Sequence, residues 1–347
     1  MNNKIYIIGE IGQNHNGSVD IAKLIIDYAS RPIVDTQFGE KLKGMDAIKL
    51  VKRDLDYELS LSQMNKVYNS PHSFGRTYGE HRKSLELDYE QHFELYKYAK
   101  INNLDTIETL CAPSTLKILK YFIPDKLKVA SRDLTNLPLI AAMAETKIPI
   151  ILSTGMASKL ELDKALEIIT KFHSDISILH CVSEYPTQYK NVNLNTIKYL
   201  INNYQQYIIG YSDHTIGIST PIAAATMGAM IIEKHITLDR TMKGTDQAGS
   251  LAINGIERMV RDIRNLESSL GIEDIFICND VVGARKKLER SIAAIVDLEE
   301  GHIINENDLH LLSPGDGFKW TEKDSIIGKK LKMKVSKDEI IYSQYLL

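Results

Sequence analysis

Eight short apolar runs, most of them followed by a longer stretch of helical periodicity, set the strongest limit on how this chain can fold. The runs are rich in β-branched residues and short enough for buried strands, whereas intervening segments such as ELDKALEIITKF carry apolar residues at helical spacing. The runs are Ile5–Glu10, Ala47–Val51, Thr106–Thr109, Leu127–Ser131, Pro149–Ser153, Ile176–Cys181, Tyr207–Ser212 and Met230–His235. Because a (β/α)8 barrel contains eight such strand–helix units, the pattern predicts an α/β fold of this architecture. A doubly wound sheet would use similar units, but it needs a reversal of strand order that no sequence pattern marks.

The pattern changes to short strands and turns in the last quarter of the chain. We predict a barrel domain over residues 1–270, a linker over 271–284 and a small β-rich domain over 285–347. Within the barrel, Arg31–Gly44 has the character of an insertion on the face opposite the carboxyl ends of the strands. Tyr57–Leu87 is a long polar, aromatic and basic loop after the second strand, on the face where barrel enzymes bind substrates.

Composition narrows the class of protein. Lys and Arg together number 42 against 45 for Asp and Glu, so no global positive field favours nucleic acid. The three cysteines lie far apart in the sequence and cannot all pair, which fits a reducing compartment. The apolar run before Gly9 is too short for a signal peptide, and no stretch approaches the ~18 residues of a membrane helix. We therefore expect a cytoplasmic protein that binds neither nucleic acid nor membranes.

Two histidines follow neighbouring predicted strands. His214 and His235 are separated by one strand–helix unit, so both reach the same end of the barrel. Neutral imidazole is a common ligand of divalent metals, and the two together favour a metal site. Either histidine alone is more typical of an ordinary hydrogen-bonding residue at a strand end.

Lysines and hydroxyls at other strand ends indicate an anion site. Lys49 and Lys128 lie inside apolar runs, where an unpaired ammonium is costly, so each needs an anion or a carboxylate partner. With Ser131 and Ser212 they are typical of a phosphate-binding set. Glu10, at the end of the first strand, is either a general base or the partner of one of these lysines. Lys128 also permits a Schiff-base mechanism with a carbonyl substrate.

Several ordered motifs resemble those of the sialic acid synthases, the N-acetylneuraminate synthase family. The motifs are EIGQNHNGS, SPHSFGRTYGEHRKSLEL, ILSTGMAS, SEYPTQY, GYSDHTIG and EKHITLD. The final segment, with DLHLLSPGDG and IGKKLKMKVSKDE, resembles the antifreeze-like (SAF) domain of those enzymes. The resemblance implies a barrel enzyme of sialic acid and polysaccharide biosynthesis. It would condense phosphoenolpyruvate with N-acetylmannosamine or a related N-acyl hexose, giving a nine-carbon 2-keto acid and phosphate.

The resemblance also implies a role for each matching residue. Glu10 would be the catalytic acid or base, and His214 and His235 would hold a divalent metal, Mn²⁺ first with Mg²⁺ or Co²⁺ as alternatives. The chains would form a domain-swapped homodimer in which one tail caps the other barrel. The substrate-binding residues would be Lys49, Lys128, Ser131, Ser183 and Ser212 for phosphoenolpyruvate, and Tyr185 and Asp246 for the sugar.

Ser183 replaces an asparagine of some relatives, and three further departures from the bacterial pattern of that family concern the sugar end. Val51 replaces a glutamine, Ser313 replaces an arginine of the tail, and Arg132 adds a cation beside the mouth of the barrel. Unmodified N-acetylmannosamine is our first expectation, and a 6-phosphorylated or otherwise modified aldose is the alternative. With a 6-phosphorylated sugar, Arg132 and Arg76 would contact its phosphate. With the unmodified sugar, these arginines would form a solvated rim with the acidic residues Asp133, Glu80 and Glu86. A further alternative is a non-catalytic protein, in which the barrel is a scaffold and the C-terminal domain is a binding module.

Overall fold

A computed structural model describes residues 4–34, 39 and 41–347. The chain divides into two compact units, residues 1–270 and 271–347. Among the described residues of the first unit, eight parallel strands close into a barrel in which each strand pairs with its sequence neighbours and the last pairs with the first. The predicted (β/α)8 fold is therefore confirmed. The strands are β1 Tyr6–Gly12, β2 Ala47–Lys52, β3 Asp105–Leu110, β4 Lys126–Val129, β5 Ile150–Ser153, β6 Ile176–Cys181, β7 Ile208–Asp213 and β8 Ile231–His235.

Helices surround the barrel and follow from the periodicity of the sequence. The last of them buries Ile256, Met259, Val260 and Ile263, a spacing that places all four on one face. A 3₁₀ helix, Pro113–Lys120, follows β3 in place of an α-helix. No helix in the described residues is both long and apolar enough to span a membrane. The α-helices of this unit are α1 Val19–Ser30, α2 Leu55–Glu58, α3 Leu61–Met64, α4 Tyr78–Lys83, α5 Tyr89–Ile101, α6 Leu137–Glu145, α7 Lys159–Ile169, α8 Asn195–Asn203, α9 Ser219–Thr226 and α10 Ile253–Ser269.

The barrel interior has an apolar layer with a polar layer above it. Ile8 and Ile231 belong to the buried apolar cluster inside the barrel. Successive side chains of a strand point to opposite faces, so the residue two positions later points inward at the next level. That residue is Glu10 on β1 and Glu233 on β8, and both are buried. The fold thus places charged side chains over an apolar floor, at the carboxyl ends of the strands.

A buried ion pair closes the opposite end of the barrel. Arg264 on α10 lies 2.5 Å from Asp46, which precedes β2, and donates a hydrogen bond of 2.8 Å to the carbonyl of Ile5. The same Asp46 carboxylate accepts from the backbone N–H of Ile7 on β1. The last helix of the unit is thereby tied to the start of its first two strands.

The two segments singled out in the sequence have structure of their own. Within Arg31–Gly44, Ile33–Val34 and Lys41–Leu42 form a short antiparallel pair, while residues 35–38 and 40 lie outside the described part of the chain. The loop after β2 contains α2, α3 and α4, and a capping box formed by Thr77 and Glu80 begins α4. Because this loop follows a carboxyl strand end, it lies on the face of the barrel that carries the polar layer.

The second unit has its own core. It contains α11 Val282–Leu288 and an antiparallel pair, β9 Ser291–Ala294 and β10 Leu309–Leu312. The predicted small β-rich domain is confirmed, while residues 271–284, predicted as a linker, include the first residues of α11. The core is formed by the buried side chains Ile292, Ala294, Leu298, Ile304, Leu309, Ile326, Leu331, Val335, Ile341 and Leu346.

Candidate active site

One cavity of about 230 Å³ at the carboxyl ends of the barrel strands brings together every site residue predicted from the sequence. These residues come from six strands or from the loops directly after them. Their placement agrees with the rule that barrel active sites form at this end, and the role of each stays a prediction. The predicted residues are Glu10, Lys49, Lys128, Ser131, Ser183, Tyr185, Ser212, His214, His235 and Asp246.

Two carboxylates share one buried lysine at the centre of the cavity. The Nζ of Lys49 lies 2.8 Å from Oε2 of Glu10 and 3.7 Å from Oε1 of Glu233. The expected carboxylate partner of Lys49 is therefore confirmed, and Glu10 provides it. Sequence reasoning missed Glu233, although its position two residues before His235 on the same strand face was a usable signal.

The two carboxylates differ in protonation. Burial raises the pKa of Glu10 to about 7. Burial also opposes the ionisation of Glu233, but the charges of Lys49 and Lys128 outweigh it and lower the pKa of Glu233 to about 2. Ser212 donates a hydrogen bond of 2.8 Å to Glu233, which further favours its ionised form. Neighbouring carboxyl groups with separated pKa values are typical of a site that moves protons.

Lys128 lies beside a small cradle of hydroxyl groups. Its Nζ donates to Oγ of Ser153 at 2.5 Å, and burial lowers its pKa. The backbone N–H of Gly155 donates to Oγ of Ser131 at 3.0 Å. A Cβ at Gly155 would lie 2.5 Å from Oγ of Ser183 and 2.8 Å from Oγ of Ser131, so only glycine leaves this space open. An ammonium and hydroxyl groups around a small space suit an anionic group such as phosphate.

Two histidines and a tyrosine gather on the other side of the cavity. The ring centroids of His214 and His235 are 5.4 Å apart, and the ring of Tyr185 lies 4.0 Å from that of His214. Nδ1 of His214 lies 2.8 Å from the carbonyl oxygen of Val182. Because a carbonyl oxygen only accepts hydrogen bonds, Nδ1 carries the proton, and Nε2 of the neutral ring keeps a free lone pair.

The histidine pair has the properties of a metal-binding pair. Burial lowers the pKa of His235 to about 4, and its Nδ1 is buried without a hydrogen-bond partner. Burial opposes the charged form of His214, but its contact with Cys181 outweighs burial and raises the pKa of His214. Imidazole nitrogens with free lone pairs suit a divalent metal. Within the described residues, no group of three or more His, Cys, Asp or Glu side chains is arranged around a common point, so the protein ligands would be these two.

A fully buried ion pair lies behind the histidines. Lys234 and Asp213 each directly precede one of the histidines, and their charged atoms are 2.6 Å apart. The Asp213 carboxylate also accepts from the hydroxyl of Tyr211 at 2.8 Å and from the backbone N–H of Thr215 at 3.0 Å. This pair joins the ends of β7 and β8, and it therefore fixes the backbone from which both histidines project.

The rim of the cavity is electrostatically balanced. Arg132 lines the cavity, where its guanidinium lies 3.2 Å from Asp133 and 3.1 Å from Glu58. The expected pairing with Asp133 is confirmed, whereas the partner Glu58, at the end of α2, was not foreseen. The same Glu58 carboxylate lies 3.1 Å from the guanidinium of Arg53, which also lines the cavity, so the two arginines share it.

The other rim residues predicted from the sequence take different positions. Glu80 accepts hydrogen bonds from the backbone N–H groups of Arg76 and Thr77, and Glu86 lies 3.5 Å from Nζ of Lys52. Glu86 also lies 3.7 Å from Nε of Arg53, which lines the cavity. The expectation that Glu80 and Glu86 pair with the side chains of Arg76 and Arg132 is therefore wrong. Arg76 is exposed and is not among the residues that line the cavity.

The amino-acid sequence was compared with those of known protein families and enzymes. The NeuB family matches residues 40–274, and the SAF domain matches residues 289–345. The chain is 31% identical to the human N-acetylneuraminate-9-phosphate synthase, over 98% of this chain and 92% of that protein. It is 32% identical to the N,N'-diacetyllegionaminic acid synthase of Legionella pneumophila, over 95% of this chain and 91% of that protein.

A solved structure agrees with the same relationship. The crystal structure of N-acetylneuraminic acid (sialic acid) synthetase from Leptospira borgpetersenii, in complex with citrate, superposes with a TM-score of 0.67 at 30% identity. The match covers 82% of this chain and 90% of that chain.

Proposed function

Since this chain belongs to the NeuB family, we propose that it is a nonulosonic acid synthase that condenses phosphoenolpyruvate with N-acetylmannosamine or a related N-acyl hexose. The observation that carries the proposal is the cavity itself, which combines an anion cradle, two carboxylates of different pKa and a pair of histidines. Relatives that match almost the whole chain are named as synthases of sialic and legionaminic acids.

The cradle beside Lys128 is the proposed site for phosphoenolpyruvate. The hydroxyls of Ser131 and Ser183 supply hydrogen-bond donors on the side of Gly155 that a Cβ would occupy, and the N–H of Gly155 orients Ser131 by donating to its Oγ. The ammonium of Lys128 is the one charged group in this cradle that no carboxylate of the described residues neutralises by direct contact. Lys49, also predicted to bind phosphoenolpyruvate, lies 2.8 Å from Glu10 and 3.7 Å from Glu233, so Lys128 is the cation of the two with no carboxylate in contact.

The reaction requires a proton donor but no protein nucleophile. Carbon 3 of phosphoenolpyruvate bonds to the aldehyde carbon of the open-chain sugar, and the aldehyde oxygen takes a proton. Water then adds at carbon 2, and phosphate leaves with cleavage of the carbon–oxygen bond. Glu10, with a pKa near 7, holds a proton to give at neutral pH, whereas the ionised Glu233 keeps Lys49 charged. The fixed charges stabilise the developing charge without covalent attachment to the protein.

His214 and His235 would hold the divalent metal, with Mn²⁺ as the first expectation and Mg²⁺ or Co²⁺ as alternatives. When bound, the ion supplies Lewis-acid polarisation of the sugar aldehyde. His214→Ala and His235→Ala should each lower metal content, measured by elemental analysis of purified protein, and abolish turnover. Normal activity of metal-stripped wild type would contradict this part of the proposal.

The balanced rim favours a neutral acceptor. Because carboxylates contact both arginines that line the cavity, Arg53 and Arg132, N-acetylmannosamine is preferred over its 6-phosphate, which is the alternative. The test is phosphate release from phosphoenolpyruvate with N-acetylmannosamine, its 6-phosphate and modified hexoses as acceptors. Absence of release with every acceptor would overturn the proposed function.

A Schiff-base aldolase is the second candidate, since burial lowers the pKa of Lys128 and so favours the neutral amine. Borohydride reduction in the presence of pyruvate would attach a three-carbon adduct to Lys128 in that case. A strict requirement for phosphoenolpyruvate and a divalent metal would exclude it.

We also propose that the chain forms a domain-swapped homodimer and acts in the cytoplasm. The support for dimer formation is a run of exposed apolar side chains at the start of the second unit, including Ile272, Ile275 and Phe276, which a second copy would cover. Analytical ultracentrifugation of the full chain tests this. A monomer at micromolar concentration that retains full activity would contradict it.

A further inference from the structure

The side-chain amide of Gln13 is a polar group of the cavity that the proposed reaction leaves without a role. Gln13 follows the end of β1, lines the cavity and is 9% exposed. Its Nε2 is buried and has no hydrogen-bond partner in the described structure. A buried donor without a partner destabilises the fold, so this amide is kept where a ligand can satisfy it.

The direction of the amide is fixed by a neighbouring cation. Nη1 of Arg82 donates to Oε1 of Gln13 at 2.7 Å. A guanidinium has donors only, so the oxygen of the amide must face it and Nε2 must face away. Arg82 is itself held, because its Nε donates to the hydroxyl of Tyr78 at 2.9 Å and its guanidinium lies 5.1 Å from the centre of that ring. The loop after β2 thus orients the amide instead of presenting a free cation.

The position of Gln13 indicates which substrate it meets. In a closed barrel of eight strands, β1 lies opposite β5, and the cradle around Lys128 is formed at the ends of β4, β5 and β6. β1 instead adjoins β8, which carries His235. On β2, which pairs with the other edge of β1, Val51 lines the cavity with a side chain that cannot form hydrogen bonds. The amide therefore faces the part of the cavity beside the histidines, away from the cradle.

We propose that Nε2 of Gln13 donates a hydrogen bond to an oxygen of the acceptor sugar, and that Arg82 is the positioning residue that holds the amide in this direction. The inference rests on the proposed function and specifies it further. It makes Gln13 a determinant of acceptor specificity with no part in binding phosphoenolpyruvate.

Steady-state phosphate release tests the inference, with phosphoenolpyruvate and whichever of N-acetylmannosamine and its 6-phosphate the wild type uses. Gln13→Leu removes the donor at similar volume and should raise KM for the acceptor about tenfold, while KM for phosphoenolpyruvate stays within about twofold. Gln13→Glu should lose as much, since an ionised carboxylate accepts hydrogen bonds and donates none. Gln13→Asn, which keeps the amide on a shorter side chain, provides a second variant if Gln13→Leu fails to fold.

A double-mutant cycle separates positioning from general destabilisation. Arg82→Met should raise KM for the acceptor about threefold, and Gln13→Leu with Arg82→Met should be no worse than Gln13→Leu alone. Lys66→Met, on the same loop, exposed and outside the cavity, is the matched control and should behave as wild type.

An unchanged acceptor KM in Gln13→Leu, an equal rise for phosphoenolpyruvate, or additive effects in the cycle would each overturn the inference while the proposed function stands. Absence of phosphate release by the wild type with every acceptor would overturn the proposed function, and this inference with it.

Discussion

Replacing Asp213 by asparagine should destabilise the barrel more than replacing its partner Lys234 by methionine. In Asp213→Asn, the Lys234 ammonium keeps the carbonyl of Thr215 and at most the new amide oxygen as acceptors, but it loses its counter-charge, and its side chain is 0% exposed. Removing one member of a buried ion pair in this way costs about 3–5 kcal/mol. In Lys234→Met, the carboxylate still accepts from Tyr211, from Thr215 and from Thr220, so the loss should be about 1–3 kcal/mol.

Thermal unfolding measures this difference. A loss of 1 kcal/mol lowers Tm by about 2–4 °C in a domain of this size, so Asp213→Asn should lower Tm by about 6–20 °C. The single tryptophan, Trp320, belongs to the second unit, so unfolding of the barrel is followed by circular dichroism at 222 nm, where its helices dominate. The double variant should be more stable than Asp213→Asn, because it contains no unpaired charge. A larger loss for Lys234→Met than for Asp213→Asn, or additive losses in the double variant, would refute the reasoning.

Three further outcomes follow from contacts elsewhere in the barrel. Gly155→Ala places a methyl group in the hydroxyl cradle and should raise KM for phosphoenolpyruvate at least tenfold with an unchanged acceptor KM, whereas the control Gly283→Ala, in open space, should have no effect. Glu10→Gln keeps the shape of the side chain but cannot exchange a proton, so kcat should fall about 10²–10⁴-fold without a fall in Tm, and a fall in Tm with kcat retained would make Glu10 structural. Burial opposes ionisation of Asp46, but the charge of Arg264 outweighs it and lowers the pKa of that carboxyl. Its contribution to stability is therefore present above about pH 4 and is lost as the pH falls through the folded-state pKa, so acid unfolding below pH 4 should be less steep in Asp46→Asn than in wild type.

The part of the site that depends on strand periodicity was open to prediction from the sequence. Glu10 and Lys49 project inward because they occupy alternate positions of buried strands, and the same rule applied to β8 would have added Glu233. Strand number was predictable for the same reason, since each buried strand leaves a short apolar run that turns and helices interrupt.

The rest of the site depends on contacts that no local pattern records. The amide of Gln13 is oriented by Arg82, 69 residues further along the chain, and Arg132 is neutralised by Glu58 across 74 residues. In each case the sequence shows a charged residue in a loop but not which group it meets. Whether such a cation is free to bind substrate is decided by the packing of α2 and α4 over the barrel mouth.

The closure of the barrel has a consequence for its synthesis on the ribosome. β1 leaves the ribosome before the other strands of the barrel, yet it pairs with β8 in the register Tyr6 to Ile231. The carbonyl of Ile5, directly before β1, accepts a hydrogen bond from Arg264, 259 residues later. Until β8 and α10 have emerged, the nascent chain has an unpaired strand edge on each side of an incomplete sheet, and such edges pair readily with other chains. A nascent chain stalled before residue 264 should therefore depend on chaperones to remain unaggregated, and release of the full barrel from them should coincide with the emergence of α10.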